Sequence, residues 1–206
     1  MPAKIAVIYY SMYGHIKTLA TKAAEAAKAT GAEVDLLQFP ETLSDDILAK
    51  MHSPPKDAAV PFVTPTDLPK YDGIIFAFPT RYGRAVAQVS AFFDATGSLW
   101  ATGALTGKFA STITSSASQN GGQETTHLTT IPYFTHQGMI YVPIGYGDQA
   151  LLGLGEIHGG SPWGASTLAA GDGSRQPSEL ETGVAAYQGK YFAGIVNTFV
   201  AGKAAQ

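Results

Sequence analysis

The sequence predicts an α/β fold, built on a doubly wound, five-stranded parallel sheet with helices on both faces. Two observations carry this prediction. Short runs rich in β-branched and aromatic residues alternate with longer segments in which apolar residues recur every three or four positions, as expected for buried strands and amphipathic helices. Because parallel strands are joined through right-handed crossovers, such alternation places helices on both sides of one sheet.

The first strand and helix are the most clearly marked elements. The run KIAVIYY (residues 4–10) predicts a strand that is buried on both faces. The period changes over residues 14–30, where Ile16, Leu19 and Ala23 share one helical face before Gly31. Similar patterns predict strands at residues 33–37, 73–78, 108–113 and 138–144, and helices at residues 84–96, 122–135 and 178–200.

Two segments interrupt the alternation. Residues 40–70 are rich in Pro and predict a surface excursion. Residues 145–177 form a Gly-rich insertion near the last strand, and its Leu, Ile and Trp residues favour an ordered segment. No linker divides the chain, so we expect a single domain over residues 1–206.

Composition limits the classes of partner. A formal charge of −3 offers no basic surface for nucleic acid or anionic lipid, and no run approaches the ~18 apolar residues of a membrane-spanning helix. We therefore expect a cytoplasmic protein that binds small molecules. The chain has no Cys, so redox work would rest on a bound organic cofactor or on a metal site without Cys ligands. No His or acid spacing marks a metal site.

The stretch SMYGHI (residues 11–16) forms the corner between the first strand and the first helix. Ligands of open parallel sheets bind at such strand ends, where unpaired helix N–H groups attract anions; Ser11, His15 and Thr18 would add side-chain donors. Neither the G-x-G-x-x-G fingerprint, the G-x-x-x-x-G-K-[ST] loop nor the G-x-S-x-G elbow is present. A small monophosphate therefore fits best, although an ordinary helix cap explains the stretch, taken alone, equally well.

Two further predicted strands run directly into loops suited to a ligand. The third strand leads into PTRYGRA (residues 79–85), with donors around a Gly, and the fourth into TSSASQNGGQE (residues 114–124), whose small side chains let backbone approach a planar ligand. Three such loops at one sheet edge suit flavin mononucleotide (FMN), with its phosphate on the first loop and its ring between the others.

Several motifs, in order, resemble a known family. The stretches YYSMYGHIKTLA, PTRYG, GGQET, HQGMIYVPIGY, HGGSPWGASTLAAGDGSRQPS and YQGKY are similar to those of the flavodoxin-like NAD(P)H:quinone oxidoreductases of the Trp-repressor-binding-protein (WrbA) type. The resemblance covers residues 4–200. It implies a flavodoxin-like fold, FMN as cofactor, NADH or NADPH as hydride donor, quinones as substrates and a homotetramer.

The resemblance also assigns roles to individual residues. The first loop would hold the FMN phosphate, and the second and third would hold its ring and ribityl chain; these cofactor-binding residues are Ser11, Met12, Tyr13, Gly14, His15, Ile16, Pro79, Thr80, Arg81, Tyr82, Gly83, Ser115, Ser116, Ala117, Ser118, Gln119, Asn120, Gly121 and Gly122. His136 would contact the flavin from a neighbouring subunit. Tyr13 and Trp100 would flank the nicotinamide or quinone above the exposed flavin face.

Other interpretations remain open. His136 alone is also consistent with a helix end, and Trp100 with a core position. A flavodoxin that carries single electrons is the main alternative function, but such carriers are acidic around the flavin, whereas these loops hold Arg81 and Arg84 and no acid before Glu124. A non-enzymatic FMN-binding regulator is the other. The sequence departs from the family pattern at Tyr82, where Phe is common, and at Arg84, where a small amide occurs.

Overall fold

A parallel sheet forms the centre of this computed structural model, which describes residues 1–204. Its strands lie in the order β2-β1-β3-β5-β6, while β4 pairs with β3 and β7 pairs with β5. The strands are β1 (Lys4–Tyr9), β2 (Glu33–Gln38), β3 (Gly73–Arg81), β4 (Arg84–Ala85), β5 (Phe109–Ser116), β6 (Ile140–Tyr141) and β7 (Ser166–Leu168). The order of the parallel positions is the one expected of a doubly wound flavodoxin-like fold.

The sheet has seven strands rather than the predicted five. Both β6 and β7 pair in parallel with β5, β6 with its first residues and β7 with its last, so the fifth position is shared by two short segments. The predicted strand 138–144 is cut short because Pro143 has no N–H to donate to a ladder, and the chain leaves the sheet until Ser166. The seventh strand, β4, is an antiparallel partner of the end of β3.

Helices cover both faces of the sheet. They are α1 (His15–Lys28), α2 (Asp45–Lys50), α3 (Ala87–Asp94), α4 (Gly97–Thr102), α5 (Gln123–His136) and α6 (Glu179–Ala204), with 3-10 turns at Pro65–Lys70 and Gln149–Leu152. The predicted helix 84–96 was too long at its start, where two residues form β4. It ends where the Thr96 hydroxyl turns back to donate to the Phe93 carbonyl, at 2.6 Å, and a separate helix follows.

Two apolar layers hold these helices on the sheet. On one face, α1 and α6 pack together over β1, β3 and β5, and they approach so closely that a Cβ on Gly189 would lie 2.0 Å from the Ala23 carbonyl oxygen. On the other face, aromatic side chains dominate: Phe76 stacks on Phe134, and Phe39 meets Phe92 edge-on. None of the helices in residues 1–204 is long and apolar enough to cross a membrane.

Candidate functional site

A cavity of about 590 Å³ lies at the carboxyl ends of β1, β3, β5 and β7. Four loops border it, one from each strand, and their lining residues are 11–13, 15, 16, 79–81, 115–118, 121 and 169–173. Three of these loops are those predicted from the sequence to bind a ligand. The volume of the cavity falls in the range of pockets that bury a cofactor-sized molecule.

The first loop leaves backbone donors unpaired at the start of α1, the position where the sequence predicts an anion site. Gly14 takes a left-handed conformation with φ of 97°, and its N–H donates to the Ser11 hydroxyl oxygen at 3.1 Å. The first-turn N–H groups of His15, Ile16 and Lys17 have no partner within the helix. Ser11, His15 and Ile16 line the cavity, so the start of α1 offers unpaired donors for an anionic group.

Two side chains predicted to add donors to this anion site are engaged elsewhere. The Thr18 hydroxyl donates to the Gly14 carbonyl at 3.2 Å. The ring of buried His15 donates from Nε2 to the Arg175 carbonyl at 2.8 Å. His15 lines the cavity, but its hydrogen bond ties the first loop to the fourth.

The second loop is a two-residue β-hairpin. Tyr82 and Gly83 both have positive φ, 54° and 77°, as a type I′ turn requires. The Thr80 hydroxyl accepts from the Gly83 N–H at 3.1 Å and from Thr126 Oγ1 at 2.6 Å, which fixes the turn on α5. Pro79, Thr80 and Arg81 line the cavity, whereas Tyr82 is fully exposed and does not.

The third loop is held tightly by its own serines. Ser116 donates to the Ser118 carbonyl at 2.8 Å, and a Cβ on Gly121 would lie 2.8 Å from that same oxygen. A Cβ on Gly122 would lie 3.0 Å from the Gly83 Cα, so the second and third loops touch. Of the predicted binding residues in these loops, five therefore do not line the cavity in this chain; they are Tyr82, Gly83, Gln119, Asn120 and Gly122.

The sequence analysis missed the fourth loop, residues 169–173. It follows β7, which has only three residues and gives no recognisable strand pattern. The stretch STLAAGDGSRQPS within the family-like motifs was the available signal. This loop brings Asp172 to the cavity, and hydrogen bonds from Ser174 lower the pKa of that carboxyl. The predicted set of acidic residues around the ligand was therefore incomplete, because the fourth loop adds the carboxylate of Asp172.

Trp100 and His136 lie away from this cavity in the same chain. Helix α5 begins beside the third loop and runs for 14 residues to His136, a length of about 20 Å. The start of α4 docks at that far end, where Thr96 Oγ1 lies 3.1 Å from the Tyr133 hydroxyl and 3.0 Å from Gln137 Nε2. Trp100, one turn further along α4, is 61% exposed. One chain thus brings Tyr13 to the cavity and leaves the other two predicted catalytic residues at the opposite end of the sheet.

Comparison with known families identifies the family of this chain. Residues 3–147 match the family described as NADPH-dependent FMN reductase. The chain belongs to the NADPH-dependent FMN reductase family. This family match covers the first three loops of the cavity, and the fourth loop lies beyond it.

This FMN reductase family member is similar to two relatives over nearly its whole length. It is 53% identical over 197 residues to Quinone-oxidoreductase QR2 of Triphysaria versicolor, covering 95% of this chain and 96% of that protein. It is 49% identical to Minor allergen Alt a 7 of Alternaria alternata, covering 93% and 96%. The resemblance to quinone reductases of the Trp-repressor-binding-protein type is confirmed.

A solved structure supports the fold of this FMN reductase family member. A flavodoxin, WrbA-like protein from Agrobacterium tumefaciens superimposes with a TM-score of 0.66 at 23% identity, over 95% of this chain and 98% of that one. The predicted flavodoxin-like fold is confirmed.

The residues at the cavity fit FMN. Gly14 has open space where a Cβ would stand, so the donors at the start of α1 are accessible to a phosphate. The walls formed by Pro79 to Arg81 and by the small residues 115–118 and 169–171 leave room for a flat ring. Among residues 1–204, by contrast, no three acidic or His side chains gather as a metal-binding group.

Proposed function

We propose that this protein is an FMN-dependent NAD(P)H:quinone oxidoreductase that reduces benzoquinone-type substrates by two electrons in a ping-pong cycle. The observation that carries the proposal is the four-loop cavity with an anion site at one end, in a chain that is 53% identical to a quinone oxidoreductase. FMN, when bound, supplies the hydride chemistry.

The protein's own contribution is placement. The amides at the start of α1 and the Ser11 hydroxyl would hold the phosphate, while residues 79–81, 115–118 and 169–173 would hold the ring and ribityl chain. Tyr13 lines the cavity with 48% of its surface exposed, and its hydroxyl donates to the Met51 carbonyl at 3.0 Å. A tethered ring at the cavity mouth suits stacking against a planar substrate, and a single open face would serve nicotinamide and quinone in turn.

We further propose that the active unit is a cytoplasmic homotetramer in which Trp100 and His136 serve the cavity of another copy. The support is their shared position at the far end of α5, about 20 Å from the third loop of their own chain. Trp100 is 61% exposed there, so its ring is free to contact another copy.

Anaerobic titration of the FMN-loaded protein tests the proposed function. NADH and NADPH are added in turn while the flavin spectrum is followed, and benzoquinone is then added. Full bleaching by either nucleotide, with reoxidation by quinone, is the expected result. If neither nucleotide bleaches the flavin, or if reduction by dithionite halts after one electron, the protein is a carrier of the flavodoxin type instead.

A further inference from the structure

A second groove, of about 670 Å³, adjoins the cavity and shares Met12 and Arg81 with it. Its other lining residues include Met51 and Arg84, and we call it the arginine groove. Tyr13, which lines the cavity, donates its hydroxyl to the Met51 carbonyl. The groove therefore starts at the mouth of the cavity and leads away from it.

Arg81 and Arg84 are directly paired across the hairpin of the second loop. Only Tyr82 and Gly83 separate them, so their side chains leave the same face of the two strands, with Cβ atoms about 5 Å apart. Like charges in directly opposite positions destabilise a strand pair. The hairpin thus carries a repulsion that a bound anion would relieve.

The protein itself does not neutralise this pair. In the part of the chain that the structure describes, neither guanidinium lies within 4.0 Å of a carboxylate. The carboxylate beneath the groove belongs to Glu41, which is bound by Tyr10 at 2.9 Å and Gln88 at 2.7 Å and paired with Lys56 at 3.0 Å. The Glu41 carboxylate is thus already paired and hydrogen-bonded by other residues than the two arginines.

We propose that Arg81 and Arg84 bind a phosphate of the nicotinamide dinucleotide. The inference rests on the proposed function: the arginine groove adjoins the cavity, so a dinucleotide whose nicotinamide enters the cavity mouth can reach the groove with its phosphates. Two guanidinium forks match phosphate oxygens in geometry as well as charge. The phosphate is either the pyrophosphate shared by NADH and NADPH or the 2′-phosphate that only NADPH carries.

Arg84 is the residue to change, because Arg81 also lines the cavity whereas Arg84 does not. The variants are Arg84→Gln, which removes the charge, and Arg84→Lys, which keeps it without the fork. Lys28→Gln, at the exposed end of α1, removes one positive charge elsewhere and is the matched control. FMN content is measured for each protein so that binding is compared at equal occupancy.

Calorimetric binding of 2′-phospho-ADP-ribose and of ADP-ribose, which lack nicotinamide, is the direct test. Loss of one charge-assisted contact weakens affinity roughly tenfold, and the loss shrinks as salt is added. We expect Arg84→Gln to show this loss, Arg84→Lys a smaller one and Lys28→Gln none. Weakening of the 2′-phosphorylated ligand alone assigns the pair to the 2′-phosphate, and equal weakening of both assigns it to the pyrophosphate.

The proposal is overturned if the wild-type protein binds neither ligand, if Arg84→Gln binds both as the wild type does, or if Arg84→Gln loses FMN in proportion to its loss of affinity. Quinone reduction by the wild-type protein with NADPH is assayed separately. Binding that depends on Arg84 in a protein without quinone turnover would reject the proposed reaction but keep the nucleotide site.

Discussion

The guanidinium of Arg175 lies 2.9 and 3.0 Å from the two carboxylate oxygens of Glu181, which is fully buried at the start of α6. Glu181 also accepts the N–H of Gly159, at 2.8 Å, and the hydroxyl of Thr167, at 2.7 Å. Burial alone would raise the pKa of this carboxyl, but these hydrogen bonds outweigh it and lower the pKa. One carboxylate therefore joins the insertion, β7, α6 and, through the bond from His15 to the Arg175 carbonyl, the first loop of the cavity.

Replacing Glu181 should loosen both the fold and the cavity. Glu181→Gln leaves the partly buried Arg175 without its counter-charge, and we expect a loss of about 3 kcal/mol in the free energy of unfolding, measured in urea. Because the folded-state pKa is lowered, the stabilisation is present above the ordinary pKa of a Glu carboxyl and is lost as pH falls toward the folded-state value. FMN affinity should fall as well, because the fourth loop lies in the chain between β7 and Arg175, and Glu181 holds both.

Glu179→Gln is the control, because Glu179 is exposed one half-turn before Glu181 on the same helix. It should leave both stability and FMN affinity near the wild-type values. Equal FMN affinity in the two variants would show that the Glu181 network does not influence FMN binding at the cavity.

His127 gives the protein a second pH dependence, at milder acidity. The ring is fully buried beneath β5, with Nδ1 2.6 Å from the Thr112 hydroxyl and Nε2 3.3 Å from that of Thr114. Burial lowers its pKa to about 3. Since the unfolded chain binds a proton near pH 6.5 and the folded chain does not, stability is complete above that pH and falls as pH drops toward 3.

We expect this histidine to remove about 2 kcal/mol of stability between pH 6.5 and pH 5. NMR titration of the imidazole is the direct measurement, and the His127 ring should stay neutral at pH 5. Protonation of His127 near pH 6.5 in the folded protein would contradict the prediction.

The sequence predicts the elements whose burial is regular and misses those set by distant partners. Strand β1 and the start of β3 are largely apolar, β5 mixes Phe, Ala and Ile with Ser and Thr, and all three are buried over most of their length. The ends of these strands located three of the four loops around the cavity. Strand β7 has three residues and is ordered by pairing with β5 and by Glu181 contacts to Thr167 and Leu168. Local sequence patterns do not contain such long-range contacts, so residue spacing alone did not predict the fourth loop.

The same limit applies to single residues within the predicted loops. The glycine and small polar composition indicated where backbone approaches a ligand, but it did not distinguish Gly121, which lines the cavity, from Gly122, which packs against Gly83. Likewise, the pattern around His15 gave no sign that its ring bonds to Arg175, because that partner lies 160 residues along the chain.

The contact between α1 and α6 depends on the absence of a side chain at Gly189. An added Cβ would lie 2.0 Å from the Ala23 carbonyl oxygen, and its three nearest neighbours are all backbone atoms of Ala23 rather than the end of a flexible side chain. Gly189→Ala should therefore lower the unfolding free energy by about 2 kcal/mol, measured by urea denaturation. Gly194→Ala, on the same helix with open space around it, should raise it by about 0.5 kcal/mol instead; a loss of the same size at both positions would reject the packing argument.

Subunit complementation tests whether Trp100 and His136 serve the cavity of another copy. Gly14→Asp places a carboxylate among the anion donors of the first loop and should abolish FMN binding, while Trp100→Ala should keep FMN and lose most quinone reduction. In a mixed oligomer of the two, an intact cavity meets an intact Trp100 from its partner. For random mixing in a symmetric assembly, roughly a quarter of wild-type activity should return, whereas each variant alone stays near zero.

Repeating the mixture with His136→Ala in place of Trp100→Ala should give the same recovery if both residues come from a partner. Activity of the mixtures that never exceeds the sum of the separate proteins would place both residues in the service of their own chain, and sedimentation of the mixed samples shows that subunits have exchanged.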